Sequence, residues 1–273
     1  VRTVNPQLLD IFTNAQGVQL SMMEIISLLG WGLGYFGLPH VLARFKAIRS
    51  AHEVGVATVI GVSWSFVGYL MAILVGLCGV VFLADPLADS ERVFIELTSL
   101  IFHPLIAGIL LAAILAAIMS TVDSQLLVCS STLAEDLYPM MTKEPLNPEK
   151  RLQIGRIAVI AMALLATVLA MKPDSKVLDV VSYAWAGLGA SLGPAILLSL
   201  YWRAMTAAGA LAGVVSGGVT VIIWSQLSGG IFDLYALVPG FVLSLAAIVS
   251  VSLVSSKPGP VVQKQFDQMH SQL

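Results

Sequence analysis

The sequence predicts an all-α polytopic membrane protein, and three observations carry that expectation. Its 273 residues are 58% hydrophobic and only 11% charged, where soluble domains carry about 25% charged residues. Mean hydropathy is +0.91, which excludes a disordered chain and argues against a water-soluble globule. The 23 glycines and 12 prolines fit the same reading, because both residues are commoner in membrane helices than in soluble ones.

A bilayer core about 30 Å thick takes roughly 20 apolar residues per helix. Runs of that kind fall at about 22–42, 54–83, 104–134, 154–171, 177–202, 207–227 and 235–254. They predict a single transmembrane domain of seven spans joined by short connections. The run at 104–134 is longer than one crossing requires, so tilt or protrusion is expected. Placement of Lys and Arg sets the direction. If the first span runs outside to inside, only Arg2, Arg92, Lys172 and Lys176 of the 14 basic residues lie outside. The loop at 85–96, with its excess of acids, lies outside as well. The N-terminus is therefore expected outside and the tail in the cytoplasm, with the chain spanning the cell membrane.

Several function classes drop out. A net charge of −2 gives no basic field for nucleic acid. Cys78 and Cys129 sit in apolar runs without a disulfide framework, and His40 and His103 lack metal-ligand spacing. With neither a phosphate loop nor a nucleophile constellation, nothing points to an enzyme. A retinal receptor would need a lysine within a span, and every lysine falls in a loop or the tail. The start, Val1-Arg2-Thr3, has neither initiator Met nor signal peptide, and is expected to belong to a longer protein.

Three stretches carry chemistry. The first is Gly30-Trp31-Gly32-Leu33-Gly34-Tyr35-Phe36-Gly37-Leu38-Pro39-His40. Glycine costs a helix about 1 kcal/mol and proline about 3, so a break is expected here. A break inside lipid is tolerated only against protein or a water-lined cavity, and broken helices form midplane substrate sites in transporters. Close packing of helices through Gly30 and Gly34 explains the same pattern without a ligand.

The second stretch is Ala116-Ala117-Ile118-Met119-Ser120-Thr121-Val122-Asp123-Ser124-Gln125. At 100° per residue, Ala117, Ser120, Thr121, Ser124, Val128 and Ser131 share a helix face. Two hydroxyls and the Ala117 carbonyl offer hard, uncharged oxygens suited to a loosely held monovalent cation. Back-bonding of the hydroxyls to the preceding turn is the structural alternative. Asp123 points about 100° away from that face. A carboxylate within a span is a functional candidate: it could pair with a cation on another helix, bind a second ion, carry a proton, or bond helix ends or buried water. Glu24 and Asp179 lie near outer span ends and read as solvated rim positions.

The third stretch, Ser182-Tyr183-Ala184-Trp185-Ala186-Gly187-Leu188-Gly189-Ala190-Ser191-Leu192-Gly193-Pro194, is a second helix marked by glycines and a proline. It reads either as a static kink or as a gate, with Tyr183 above the glycines and Gly189 and Pro194 as flexure points. Gly209, Gly213 and Gly217 form a small-residue ladder expected to serve packing.

On these residues the chain resembles the sodium:solute symporter family and its sodium/proline branch. The likeness rests on 31–40, on 116–121 with 124–131, on Glu135-Asp136-Leu137-Tyr138, and on 182–187 with Gly193-Pro194. It runs over nearly all of 20–206 and weakens in the last two spans. The resemblance implies the second inverted repeat of a leucine-transporter-type fold (22–202) plus C-terminal accessory helices, with an N-terminal repeat lying outside the chain. It implies sodium ligands at Ala117 (carbonyl), Ser120 and Thr121 (hydroxyls), whose partners sit on the first core helix of that other repeat. It implies substrate contacts at Trp31, Tyr35 and Pro39, and a gating or second-ion role for Asp123, Ser124, Tyr183, Gly189 and Pro194. The proline branch usually carries Gln where this chain has Leu38. The activity implied is symport of sodium with L-proline; pantothenate or another small solute, or a transporter-like module of a sensor kinase, are the alternatives.

Overall fold

The computed structural model describes residues 9–14, 17–50, 52–83, 87–142, 147–171 and 176–271. Arg2, Lys143, Lys172, the Val1-Arg2-Thr3 start and part of the acidic loop lie outside them. Every regular element among the described residues is helical. In order these are α1 (Met22–Gly30), a 3₁₀ segment (Trp31–Gly37), α2 (Pro39–Lys46), α3 (Glu53–Phe82), α4 (Val93–Ile101) and α5 (Pro104–Ser131). A π-helical turn (Thr132–Leu137) leads into α6 (Tyr138–Thr142), followed by α7 (Pro148–Ala170), α8 (Val177–Tyr201), α9 (Ala207–Trp224), α10 (Leu237–Val254) and α11 (Pro260–His270), with short 3₁₀ turns at Ser90–Arg92 and Gly230–Asp233. Six helices are long and apolar enough to cross a membrane, or seven if the bent pair at 22–46 counts as one span. The protein is a multi-pass, all-α membrane protein.

Boundaries differ from the sequence expectation where tertiary structure overrides hydropathy. The helix expected to end at 134 runs on to Thr142 through the π turn, making one 39-residue element. That of 154–171 begins six residues earlier, with Pro148 in its first turn, where a missing N–H costs nothing. Two further helices, α4 and the polar α11, lie where only connections were expected.

The chain forms two compact units. One comprises Val1–Val18 with Ala43–Asp174, the other Gln19–Leu42 with Ser175–Leu273. In the first, α5 packs on α7, and α4 contacts both α3 and α5. In the second, α8, α9 and α10 pack together, and the 3₁₀ segment lies against α8. The core of this second unit is Ala186, Ala190, Val221 and Leu237.

Small residues set that packing. Pro194 lies inside the span expected at 177–202, and α8 carries it from Val177 to Tyr201. Proline removes the hydrogen bond to the carbonyl four residues back, here that of Ala190. This carbonyl lies against Gly217 of α9, so closely that a Cβ on Gly217 would overlap it. Gly213 meets Ile248 and Gly209 meets Ser252 in the same manner, which accounts for the small-residue ladder. Hydroxyls complete the α9–α10 contact, since Ser244 donates to the Gly213 carbonyl at 2.9 Å.

The tail is tied back by a forked ion pair, in which Arg203 Nε and Nη2 donate to the two carboxylate oxygens of Asp267, each at 2.8 Å. Hydrogen bonding from the guanidinium holds the Asp267 carboxyl below its ordinary value of 3.8. A lowered carboxyl contributes stability above the ordinary value and loses it as pH falls through the lowered one. A spin label at Gln268 is therefore expected to become mobile only as acidification carries the carboxyl through its lowered value, below the ordinary 3.8, whereas Arg203→Gln frees it at neutral pH. In thermal unfolding of the detergent-solubilised chain, Gly217→Leu should cost about 1–3 kcal/mol through overpacking. Gly68→Leu, with nothing within 4 Å of its added Cβ, should stay within about 0.5 kcal/mol of the parent.

Candidate functional site

The helix break is built by three local choices. α1 opens on a capping box in which the Ser21 side chain accepts from the Glu24 amide and the Glu24 carboxylate accepts from the Ser21 amide. At Gly30 the α-helix gives way to the 3₁₀ segment, and the chain turns at Leu38 (φ −89°, ψ 113°). A residue before proline is pushed out of the helical region, while Pro39 itself suits the first turn of α2. The two limbs meet at 52°. Leu38 is 3% exposed, so it packs inside the break.

Aromatic rings from three elements gather there. The Trp31 ring stacks on Tyr235 at 5.2 Å between centroids and lies 6.1 Å from Trp185. Tyr35 meets the Trp185 ring edge-on at 4.9 Å. The Trp185 indole N–H donates to the Trp31 carbonyl at 3.0 Å, which satisfies backbone at the point where the α-helix ends. The Tyr235 hydroxyl donates to the Ser182 carbonyl at 2.8 Å, and its amide donates to Ser27 Oγ at 3.0 Å. Close approach is possible because glycines face each other: a Cβ on Gly189 would stand 2.7 Å from the Gly34 Cα, and one on Gly34 would overlap the Trp185 ring.

The sequence-identified residues therefore divide. Trp31 and Tyr35 converge on Trp185, while Pro39 opens α2. Gly189 and Pro194 are buried in helix packing. Tyr183, half exposed, instead lines a cleft of about 330 Å³ with Asp179, Trp224, Phe232 and Tyr235. Sequence reasoning missed Trp185 as the donor closing the break, and Tyr235 and Ser27 as its neighbours. Trp185 was legible inside the 182–194 stretch; Tyr235 read only as the edge of a span.

The hydroxyl cluster lies in the other unit, on α5. Thr121 Oγ1 donates to the Ala117 carbonyl at 3.2 Å, and Ser124 Oγ donates to the Thr121 and Ser120 carbonyls at 2.8 and 3.2 Å. These are the back-bonds weighed as the structural alternative. They also hold the Ala117 carbonyl and the Thr121 hydroxyl side by side, each oxygen keeping a further lone pair. Ala117, Ser120 and Thr121 are exposed in this chain. A cation does arrive from α2, but Arg44 Nη2 donates to Ser124 Oγ at 3.3 Å. Asp123 is exposed and makes no ion pair among the described residues.

Comparison with known proteins gives the family of the chain. Residues 1–217 match the model of the sodium:solute symporter family. The "High-affinity proline transporter PutP" of Bacillus subtilis is 45% identical over 98% of this chain and 56% of its own length. The "Sodium/proline symporter" of Escherichia coli is 46% identical over 90% of the chain and 50% of its own length. The "Osmoregulated proline transporter OpuE" of Bacillus subtilis is 43% identical over 100% of the chain and 55% of its own. The chain thus spans about half the length of the curated relatives it matches. No solved structure matches it significantly.

Trp185→Phe keeps the ring and removes the donor to Trp31. A lost hydrogen bond of this kind costs about 1 kcal/mol, so amide exchange over 31–37 should quicken about fivefold. Unchanged exchange would mean that the break is held by packing alone.

Proposed function

The chain belongs to the sodium:solute symporter family, and we propose that it forms part of a symporter carrying L-proline into the cell with sodium by alternating access. One observation carries this reading: 45% identity, across 98% of the chain, to a protein named for proline transport. The aromatic break supports it, because Trp31 and Tyr35 offer apolar ring faces at a broken helix, the kind of place where transporters bind a solute. So do the α5 oxygens, which can hold a monovalent ion weakly enough to release it in every cycle.

The proposed architecture is the second inverted repeat of a leucine-transporter-type fold in 22–202, followed by accessory helices. A second segment of a longer protein supplies the remaining sodium ligands from its first core helix. Sodium at the Ala117 carbonyl and the Ser120 and Thr121 hydroxyls favours an outward-open state in which Trp31, Tyr35 and Pro39 receive proline. The solute then favours closure of the outer gate, in which Tyr183 and the flexure points Gly189 and Pro194 take part. Asp123 and Ser124 flank the ion path. Each ligand tightens the other by the same factor, since coupling of binding is reciprocal. A potential of 100 mV adds about 2.3 kcal/mol per sodium charge. The membrane is the cell membrane, with the start of this chain outside and its tail cytoplasmic, as the distribution of basic residues favours.

In the full-length transporter, Ser120→Ala with Thr121→Ala should raise the sodium concentration for half-maximal labelled-proline uptake at least tenfold. The same change at Ser63 and Thr58, which back-bond on α3, should leave it unaltered. An unaltered requirement in the α5 double variant would remove the ion-site assignment.

A further inference from the structure

The first unit holds a groove of about 690 Å³ that the transport reading does not use. One wall is α7, whose lining positions 148, 151, 152, 155, 156, 159 and 160 recur at helical spacing of three and four. The other wall is the end of α5 and the π turn, through Leu127, Ser130, Ser131, Ala134 and Glu135. Gly155 keeps the floor open, as a Cβ there would meet nothing within 4 Å. The π turn widens this end of the helix, and such turns mark functional places more often than ordinary helix does.

The lining is graded in polarity. Arg151 stands in the first turn of α7, which opens at Pro148, and Arg156 lies about 7.5 Å deeper at 1.5 Å per residue, on the same lining as Glu135 and Ser131. Leu127 and Ile160 lie further along, roughly 14 Å from Arg151 at 1.5 Å per residue. Neither arginine makes an ion pair among the described residues, although Glu135 lines the same groove. Lys150, one residue earlier, is turned instead toward the Tyr138 ring, 5.7 Å from its centroid. Two unpaired guanidiniums against one carboxylate leave the mouth net positive at the edge of an apolar channel.

We propose that this groove binds an anionic phospholipid. Its phosphate lies between Arg151 and Arg156 and an acyl chain runs past Gly155 and Val159 toward Leu127 and Ile160. Guanidinium forks match phosphate oxygens, and basic pockets between membrane helices suit anionic headgroups. A free anion would leave the apolar half of the channel unmatched; a zwitterionic lipid such as phosphatidylcholine offers the same phosphate but brings a quaternary ammonium to a lining that is already net positive.

Native mass spectrometry of the purified full-length transporter, released from micelles holding equal phosphatidylglycerol and phosphatidylcholine, tests the proposal. The parent should retain phosphatidylglycerol about tenfold more than phosphatidylcholine, and millimolar inorganic phosphate should not displace it. Arg151→Gln with Arg156→Gln should abolish the preference, while the Lys pair at the same positions should keep most of it. Gly155→Leu fills the channel with every charge intact and should lower phosphatidylglycerol retention to the level of the Gln pair, whether or not that pair folds. Lys257→Gln, outside the groove, should change nothing. Equal retention of the two lipids by the parent, a preference surviving Gly155→Leu, or displacement by phosphate would overturn it.

Discussion

No water reaches the middle of a bilayer, so backbone freed by a broken helix has to be satisfied by protein. That constraint governs the second unit. The α-helix that begins at Met22 stops at Gly30, and the Trp185 indole supplies a donor to the first carbonyl beyond it. Bringing Trp185 so near requires the segment to approach α8 at backbone distance, which Gly34 and Gly189 permit. α8 can serve as the support because its own weak point, the Ala190 carbonyl left by Pro194, is covered by Gly217 of α9. Leu237 and Val221 then seal the core behind it. The break, the support and the small-residue packing are one physical arrangement.

The two candidate sites present different chemistry. Around Trp31 the elements are aromatic faces and main-chain groups, suited to a small solute with an apolar body and charged ends. On α5 they are neutral hydroxyl and carbonyl oxygens. Formal charge is scarce throughout the spans, and a weakly held ion benefits from that scarcity, because a carboxylate ligand in a low dielectric would hold it more tightly. Asp123, set off the hydroxyl face, is consistent with the separation.

Much of this was legible in the residues. Four glycines and a proline in ten positions announced the break, and the helical spacing of Ala117, Thr121 and Ser124 announced the back-bonds that the hydroxyls make on α5. What composition alone could not supply were pairings distant in sequence: Tyr235 meets Ser27 across 208 positions and Trp185 meets Trp31 across 154. Hydropathy also hid the polar helix α11, which is fixed by Arg203 and Asp267, and the continuation of α5 through the π turn. Pro194 was legible as a local cost within its helix, whereas the close approach of Gly217 to the Ala190 carbonyl was not.

The central claim is that the aromatic break and the hydroxyl face belong to one sodium-driven carrier of a small zwitterion. The full-length transporter in proteoliposomes, offered a panel of labelled solutes with and without an inward sodium gradient, tests it most directly. Accumulation of proline above the others, abolished when sodium is replaced by potassium, is the predicted result. Equal uptake in both salts, or a gradient-driven preference for a different solute, would contradict it.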